Sequence, residues 1–186
     1  MAGFLSKIMK RIKEEVRLPI KRHSILTNGS LINEDVISFF KEYAMNNIQI
    51  TLDGSKERHD SIRKDKYTNA PTYDNLIKNI DYIVKELPDT SVDVRINIEN
   101  KNKDDYYQAV KVLGERWKKK KVNIYPGFLR MDNETKTALS CSSMQKNEIA
   151  NFLFDMYQKG ASNESIFPEF PKELCMAART NAYVIG

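Results

Sequence analysis

Four short runs rich in β-branched residues, HSIL (23–26), IQITL (48–52), VDVRINI (92–98) and VNIY (122–125), alternate with segments whose apolar residues keep helical spacing. The order is βαβαβαβ. Strands separated by helices cannot be joined by tight hairpins, so the pattern requires a mainly parallel sheet with right-handed crossovers. The predicted class is α/β.

The helices carry start signals. Asn33 precedes EDVISFFKEYAM, Thr72 precedes YDNLIKNIDYIVKEL and Asn102 precedes KDDYYQAVKVLGERW, and each side chain is of a type that accepts from an orphan backbone N–H. A further helix, NEIANFLFDMYQK, is opened by the pair Ser142 and Gln145 and stops at Gly160. Phe4, Ile8, Ile12 and Val16 keep helical spacing with no capping residue ahead of them, which reads as the tail of a helix whose beginning is absent. FPEFPKEL (167–174) is too proline-rich for a helix, and AYVIG (182–186) reads as a strand.

A chain of 186 residues with 41% hydrophobic and 30% charged residues is long enough for one domain with its own core. No apolar run approaches the roughly 20 residues of a membrane helix, and MAGFLSKIMKRIKEEV carries charges throughout, so the predicted compartment is the cytoplasm and no membrane partner is expected. Cys141 and Cys175 are too few for a disulfide framework. The net charge of +5 comes largely from short runs. The longest, ERWKKKK, ends a predicted helix where lysines complement the dipole, so no nucleic-acid partner is expected.

In parallel α/β folds the loops after the strands' carboxyl ends form the functional face. Here that rim collects Thr27-Asn28-Gly29, then Thr51 with Asp53-Gly54, then Asn97 and Glu99, then Pro126-Gly127 followed by Leu129 and Arg130. Asp53 offers an acceptor, Gly54 lets backbone approach a ligand, and Arg63 is placed to return and clamp a carboxylate. Simpler readings stand beside these. Asp-Gly and Asn-Gly also mark plain turns, His59 reads as an exposed loop histidine, and Arg63 has Asp60 and Asp65 within reach on the surface. Trp117, Phe39, Phe40 and Tyr43 fit the core. The sequence has no Gly-rich phosphate loop and no serine nucleophile elbow.

Taken in order, TNGSLI (27–32), ITLDGSKERHDSIR (50–63), TYDNLIKNID (72–81) and VDVRINI (92–98) resemble the middle of a radical S-adenosylmethionine enzyme. The resemblance is to the branch with a C-terminal, cysteine-rich SPASM domain, which includes anaerobic sulfatase-maturating enzymes and maturases of ribosomal peptides. CMAARTNAYVIG (175–186) is similar to the opening of that domain. The cluster-binding C-x-x-x-C-x-x-C loop and the GGE motif are absent from these residues. The resemblance therefore implies an internal fragment: residues 1–160 a partial parallel (β/α) barrel, about strands 3 to 6 of a radical SAM (β/α)6 barrel; 161–174 a linker; 175–186 the start of a truncated SPASM domain.

Carried over by residue, the resemblance implies that Thr51 and Arg63 bind the methionyl carboxylate of S-adenosylmethionine. It places Asn97 by the ribose or methionyl part, Leu129 by the adenine, Asp53 and Asn28 at the rim, and Cys175 as the first auxiliary-cluster thiolate. Cys141 matches no ligand and reads as a buried thiol. The implied cofactors are S-adenosylmethionine and [4Fe–4S] clusters in the full-length family, with none expected on the fragment itself, and the implied partner is a peptide or protein substrate. The fragment is also expected to self-associate through exposed strand edges. Two other classes stay open: a non-catalytic α/β interaction module on the same scaffold, and an ordinary nucleotide-binding α/β enzyme, which the lack of a phosphate loop disfavours.

Overall fold

The structure is a computed structural model and describes residues 2–15, 21–128 and 144–161. Its elements are α1 (Ala2–Glu15), β1 (Ser24–Thr27), α2 (Glu34–Glu42), β2 (Asn47–Leu52), α3 (Lys56–Ile62), α4 (Tyr73–Glu86), β3 (Ser91–Ile98), α5 (Lys103–Arg116), β4 (Val122–Phe128) and α6 (Lys146–Gln158). The four strands form one parallel sheet in the order β1-β2-β3-β4, as the alternating pattern requires. Ile25 pairs with Ile48, Ile48 with Val92 and Val92 with Val122, so aliphatic residues stack in rows across the sheet.

Successive side chains of a strand point to opposite faces, and the two faces of this sheet differ in chemistry. On one, Ile48, Ile50, Leu52, Val92, Val94, Ile96 and Ile98 are fully buried in a single core with Phe39 and Phe40 of α2, Ile80 and Ile83 of α4, and Tyr106 and Leu113 of α5. Burial of such a side chain contributes about 1.5–3 kcal/mol. The other face carries Asn47, Gln49 and Thr51 on β2, Asp93, Arg95 and Asn97 on β3, and Asn123 and Tyr125 on β4. A parallel sheet with one apolar and one polar face matches part of a barrel whose helices lie outside and whose inner wall is polar.

Several local expectations change. β4 runs on through Pro126 and Gly127 to Phe128 instead of ending at Tyr125. β4 is the last strand of the described sheet, where the missing N–H of Pro126 does not interrupt pairing on both sides. The stretch after Gly54 is no plain loop: Lys56–Ile62 form α3, with the Ser55 hydroxyl accepting from the Arg58 N–H at 3.4 Å. Asn33 caps α2 by accepting from the Val36 N–H at 3.0 Å. Thr72 and Asn102 hold the cap positions of α4 and α5, but neither side chain makes the capping bond. Asp60 does it for α4, accepting from the N–H groups of Thr72 and Tyr73 at 2.9 and 2.8 Å. At α6 the Gln145 N–H donates to Glu148 at 2.7 Å, while Ser142 lies outside the described residues. Trp117, Phe39, Phe40 and Tyr43 are buried as expected. No described helix is long and apolar enough to cross a membrane.

Candidate functional site

The β2 strand delivers Asp53 to the rim, 7% exposed. Three partners hold it. Asn97 Nδ2, at the end of β3, donates to Oδ1 at 2.7 Å, Arg63 Nε donates to Oδ2, and the backbone N–H of Asp53 donates to His59 Nδ1 at 3.2 Å. Burial raises the Asp53 carboxyl, but the hydrogen bonds from Arg63 and Asn97 and the Arg63 charge outweigh it, leaving the group below the ordinary carboxylate range. Gly54 takes φ +97°, and a Cβ there would lie 3.0 Å from Arg58 Cδ and Asn102 Nδ2. Glycine thus serves both the turn and the close approach of the next loop. That loop is fastened on: Ser55 N–H donates to Asp105, Arg58 pairs with Glu99, and Asn102 accepts from the Glu99 N–H while donating to the Asn97 carbonyl.

His59 is not an exposed loop histidine. It is 1% exposed, because α3 turns its ring inward against Tyr73. Since Nδ1 accepts from Asp53, the network assigns the proton to Nε2, which faces Thr72 Oγ1 at 3.2 Å, and Thr72 in turn donates to the Arg63 carbonyl at 3.0 Å. One ring therefore fixes the backbone at both ends of the Asp53–Arg63 pair. Burial lowers the basicity of His59, partly offset by the Asp53 charge.

The sign of the resulting pH dependence is set by the folded state binding the proton less well than the unfolded chain. Stability is then complete above about pH 6.5 and falls as pH drops below it. We expect the urea midpoint to decrease between pH 7 and pH 5, and His59→Asn to flatten that decrease. An equal slope in the variant would place the titration elsewhere.

Asp53 is thus bonded to both Arg63 and Asn97. Thr51 lies two residues before Asp53 on the polar sheet face, half-buried. Asn28 stands apart, exposed, its Oδ1 closing a turn by accepting from the Ser30 N–H and hydroxyl at 3.1 and 2.9 Å. Leu129, Cys141 and Cys175 lie outside the described residues. Arg63 pairs with neither Asp60, which caps α4, nor Asp65, which accepts from the Tyr67 and Thr68 N–H groups; its carboxylate is Asp53. His59, Asn102 and, preceding Asn97 on β3, the polar pair Asp93 and Arg95 are additions that strand-end reasoning missed. The alternation of Asp93, Arg95 and Asn97 with Val94 and Ile96 is the signal that carries the last of these.

Residues 3–129 match the family described as the radical SAM superfamily. The chain belongs to that superfamily. Among curated relatives, a cysteine-type anaerobic sulfatase-maturating enzyme of Clostridium novyi (strain NT) is 45% identical over 60 residues, 31% of this chain and 15% of that enzyme. Among solved structures, native anSMEcpe with bound AdoMet and Cp18Cys peptide superposes with a TM-score of 0.64 at 18% identity, covering 86% of this chain and 43% of the other. Native anSMEcpe with bound AdoMet gives 0.62 over 86% and 42% of the two chains, also at 18% identity. The radical SAM chain thus spans less than half of these relatives, and the likeness shows the fold: four parallel strands of a partial radical SAM barrel.

Proposed function

We propose that this chain is the rear part of a radical SAM maturase that modifies a peptide or protein side chain, in sulfatase or ribosomal-peptide maturation. The observation that supports it most is the Asp53–Arg63–Asn97 knot at the mouth of a polar sheet face, on a radical SAM fold. In this reading residues 1–160 are the partial barrel, 161–174 a linker and 175–186 the opening of a SPASM domain with Cys175 as a cluster ligand. The compartment is cytoplasmic.

In a protein that also held a reduced [4Fe–4S] cluster, bound S-adenosylmethionine would supply a 5′-deoxyadenosyl radical, one electron from the cluster breaking its C5′–S bond with release of methionine, and the radical would take a hydrogen atom from the substrate. The residues present fit its polar tail: the Thr51 hydroxyl, the Asn97 amide and the outer nitrogens of Arg63, whose Nε is already fixed by Asp53. Asp53 accepts from Arg63 and Asn97 and so sets where their remaining donors stand. His59 and Thr72 keep the backbones of Asp53 and Arg63 from drifting apart, which preserves the spacing the ligand must meet.

A [4Fe–4S] cluster does not fit these residues. It is held by three or four thiolates, the sequence has two cysteines, and among the described residues no group of three His, Cys, Asp or Glu side chains could hold a metal. We expect anaerobic reconstitution to leave the purified chain without cluster, and S-adenosylmethionine to bind weakly, shifting the amide resonances of Thr51, Asp53 and Asn97 at millimolar concentration. Arg63→Ala should weaken that binding by about 2 kcal/mol, and Arg63→Lys should restore little of it. Stoichiometric iron and sulfide would overturn the first expectation. Unmoved amides at the rim would overturn the reading of the site.

A further inference from the structure

The open face of the sheet is arranged in rows, and the middle row is unbalanced. In the row below it, Asp93 accepts from Asn47 Nδ2 at 2.8 Å and from Asn123 Nδ2 at 3.3 Å, and Gln49 accepts from the Tyr125 hydroxyl at 2.8 Å. In the row above, Asn97 and Arg63 occupy Asp53. Between them, Thr51, Arg95 and Tyr125 pair across β2, β3 and β4. Arg95 is half-buried, and among the described residues its guanidinium has neither a hydrogen-bond acceptor nor an ion-pair partner. A guanidinium carries five N–H donors and a permanent charge, and no Arg95 nitrogen is among the buried, unpartnered atoms of the described residues, so the fork stays open to a ligand entering the face.

A second observation shows that the position is built. Gly127 lies on β4, and a Cβ there would stand 2.0 Å from Arg95 Nε, 2.8 Å from Cγ and 2.9 Å from Cδ. Its φ is not among the positive values of Gly29, Gly54 and Gly160, so the backbone does not demand a glycine. Glycine weakens a strand. What it provides here is room for the Arg95 side chain to lie flat across β4.

The geometry points to Arg95 as the carboxylate receptor of the polar face, its planar fork taking one carboxylate with the Thr51 hydroxyl beside it. A single cation and one hydroxyl suit a singly charged planar anion, which the fork can meet with two parallel bonds. Arg63 differs, because its charge is already met by Asp53. The inference rests on the proposed function in one respect: ligands enter from the strand ends. The carboxylate comes from one of two sources, a methionyl tail or an acidic side chain of a peptide.

Arginine Nε–H resonances of the purified chain, with Arg95 assigned by its loss in Arg95→Gln, read the contact directly. Titration with S-adenosylhomocysteine tests the first source. A blocked peptide containing one glutamate, compared with its glutamine counterpart, tests the second. The inference expects one of these probes to move the Arg95 signal and to bind about tenfold or more weakly to Arg95→Gln. Gly127→Ala keeps the charge but displaces the side chain, so it should weaken the same probe, while Arg95→Lys recovers only part of the binding. A response to S-adenosylhomocysteine alone assigns the methionyl tail and moves its carboxylate from Arg63 to Arg95, whereas a glutamate-dependent response assigns the peptide and leaves the methionyl carboxylate with Arg63. If both probes bind Arg95→Gln as they bind the parent, the inference is overturned, and the proposed function survives provided S-adenosylhomocysteine still shifts Thr51 and Asn97. If neither probe moves any residue of this face, both fall.

Discussion

Phe40→Ala is expected to lower the unfolding free energy by about 4 kcal/mol, enough to leave much of the chain unfolded at modest urea concentration. The ring is 1% exposed and sits on α2 tilted against Phe39, ring centroids 5.9 Å apart, inside the core that also holds the aliphatic row of β2 and β3. Truncation removes the ring's transfer free energy and leaves a cavity that the sheet cannot collapse into, because the strands are pinned by their own hydrogen bonds. The Phe40 carbonyl, which the substitution keeps, accepts from the Met45 N–H at 3.0 Å and closes the turn that leads into β2, so the loss reads the ring alone. Phe154 on α6 provides the control, being 62% exposed, and Phe154→Ala should change stability by no more than about 0.5 kcal/mol. Urea titrations of both variants check the pair. Similar losses in the two would mean that the apolar face of the sheet does not carry the core.

The parts of this structure that sequence pattern reveals are those where one physical signal acts alone. The strands at Ile48–Leu52 and Val92–Ile98 bury every second residue, an aliphatic one, and the α2 cap at Asn33 is a local bond between neighbours. Pattern fails where tertiary partners decide. Pro126-Gly127 reads as part of the rim loop after the fourth strand, yet the dipeptide stays in β4 because it lies on the last described strand and because Arg95 needs the room above Gly127. α3 is seven residues long, too short to show a periodic stripe, and its one inward residue is a histidine that pattern counts as polar. At the site, Asp53, Arg63 and Asn97 are legible as strand-end chemistry, whereas the bonding of the last two to Asp53 is not, since it joins residues 10 and 44 positions apart. Thr72 and Asn102 are legible as helix starts, and only the fold shows that their side chains serve the site instead.

Asp53→Ala is expected to cost about 3 kcal/mol, the second-largest loss. The carboxylate is nearly buried, and its removal strands the Asn97 amide and leaves Arg63 without a countercharge. Arg63→Ala should cost less, about 2 kcal/mol, because the arginine side chain is 43% exposed and water screens part of the pair. The double variant should lose about 3 kcal/mol, so the two losses fail to add by about 2 kcal/mol, the coupling between residues that serve one interaction. The pH profile gives an independent reading. The Asp53 carboxyl is held below its ordinary value in the folded state, so the unfolded chain binds its proton more readily. The stability it contributes is therefore complete above about pH 4 and is lost as pH falls further. Asp53→Ala should lack that acid-limb loss while keeping the decline that begins near pH 6.5, since His59 remains. Additive losses, with a coupling under about 0.5 kcal/mol, would show that Asp53 and Arg63 act separately and that the rim is not one preorganised unit.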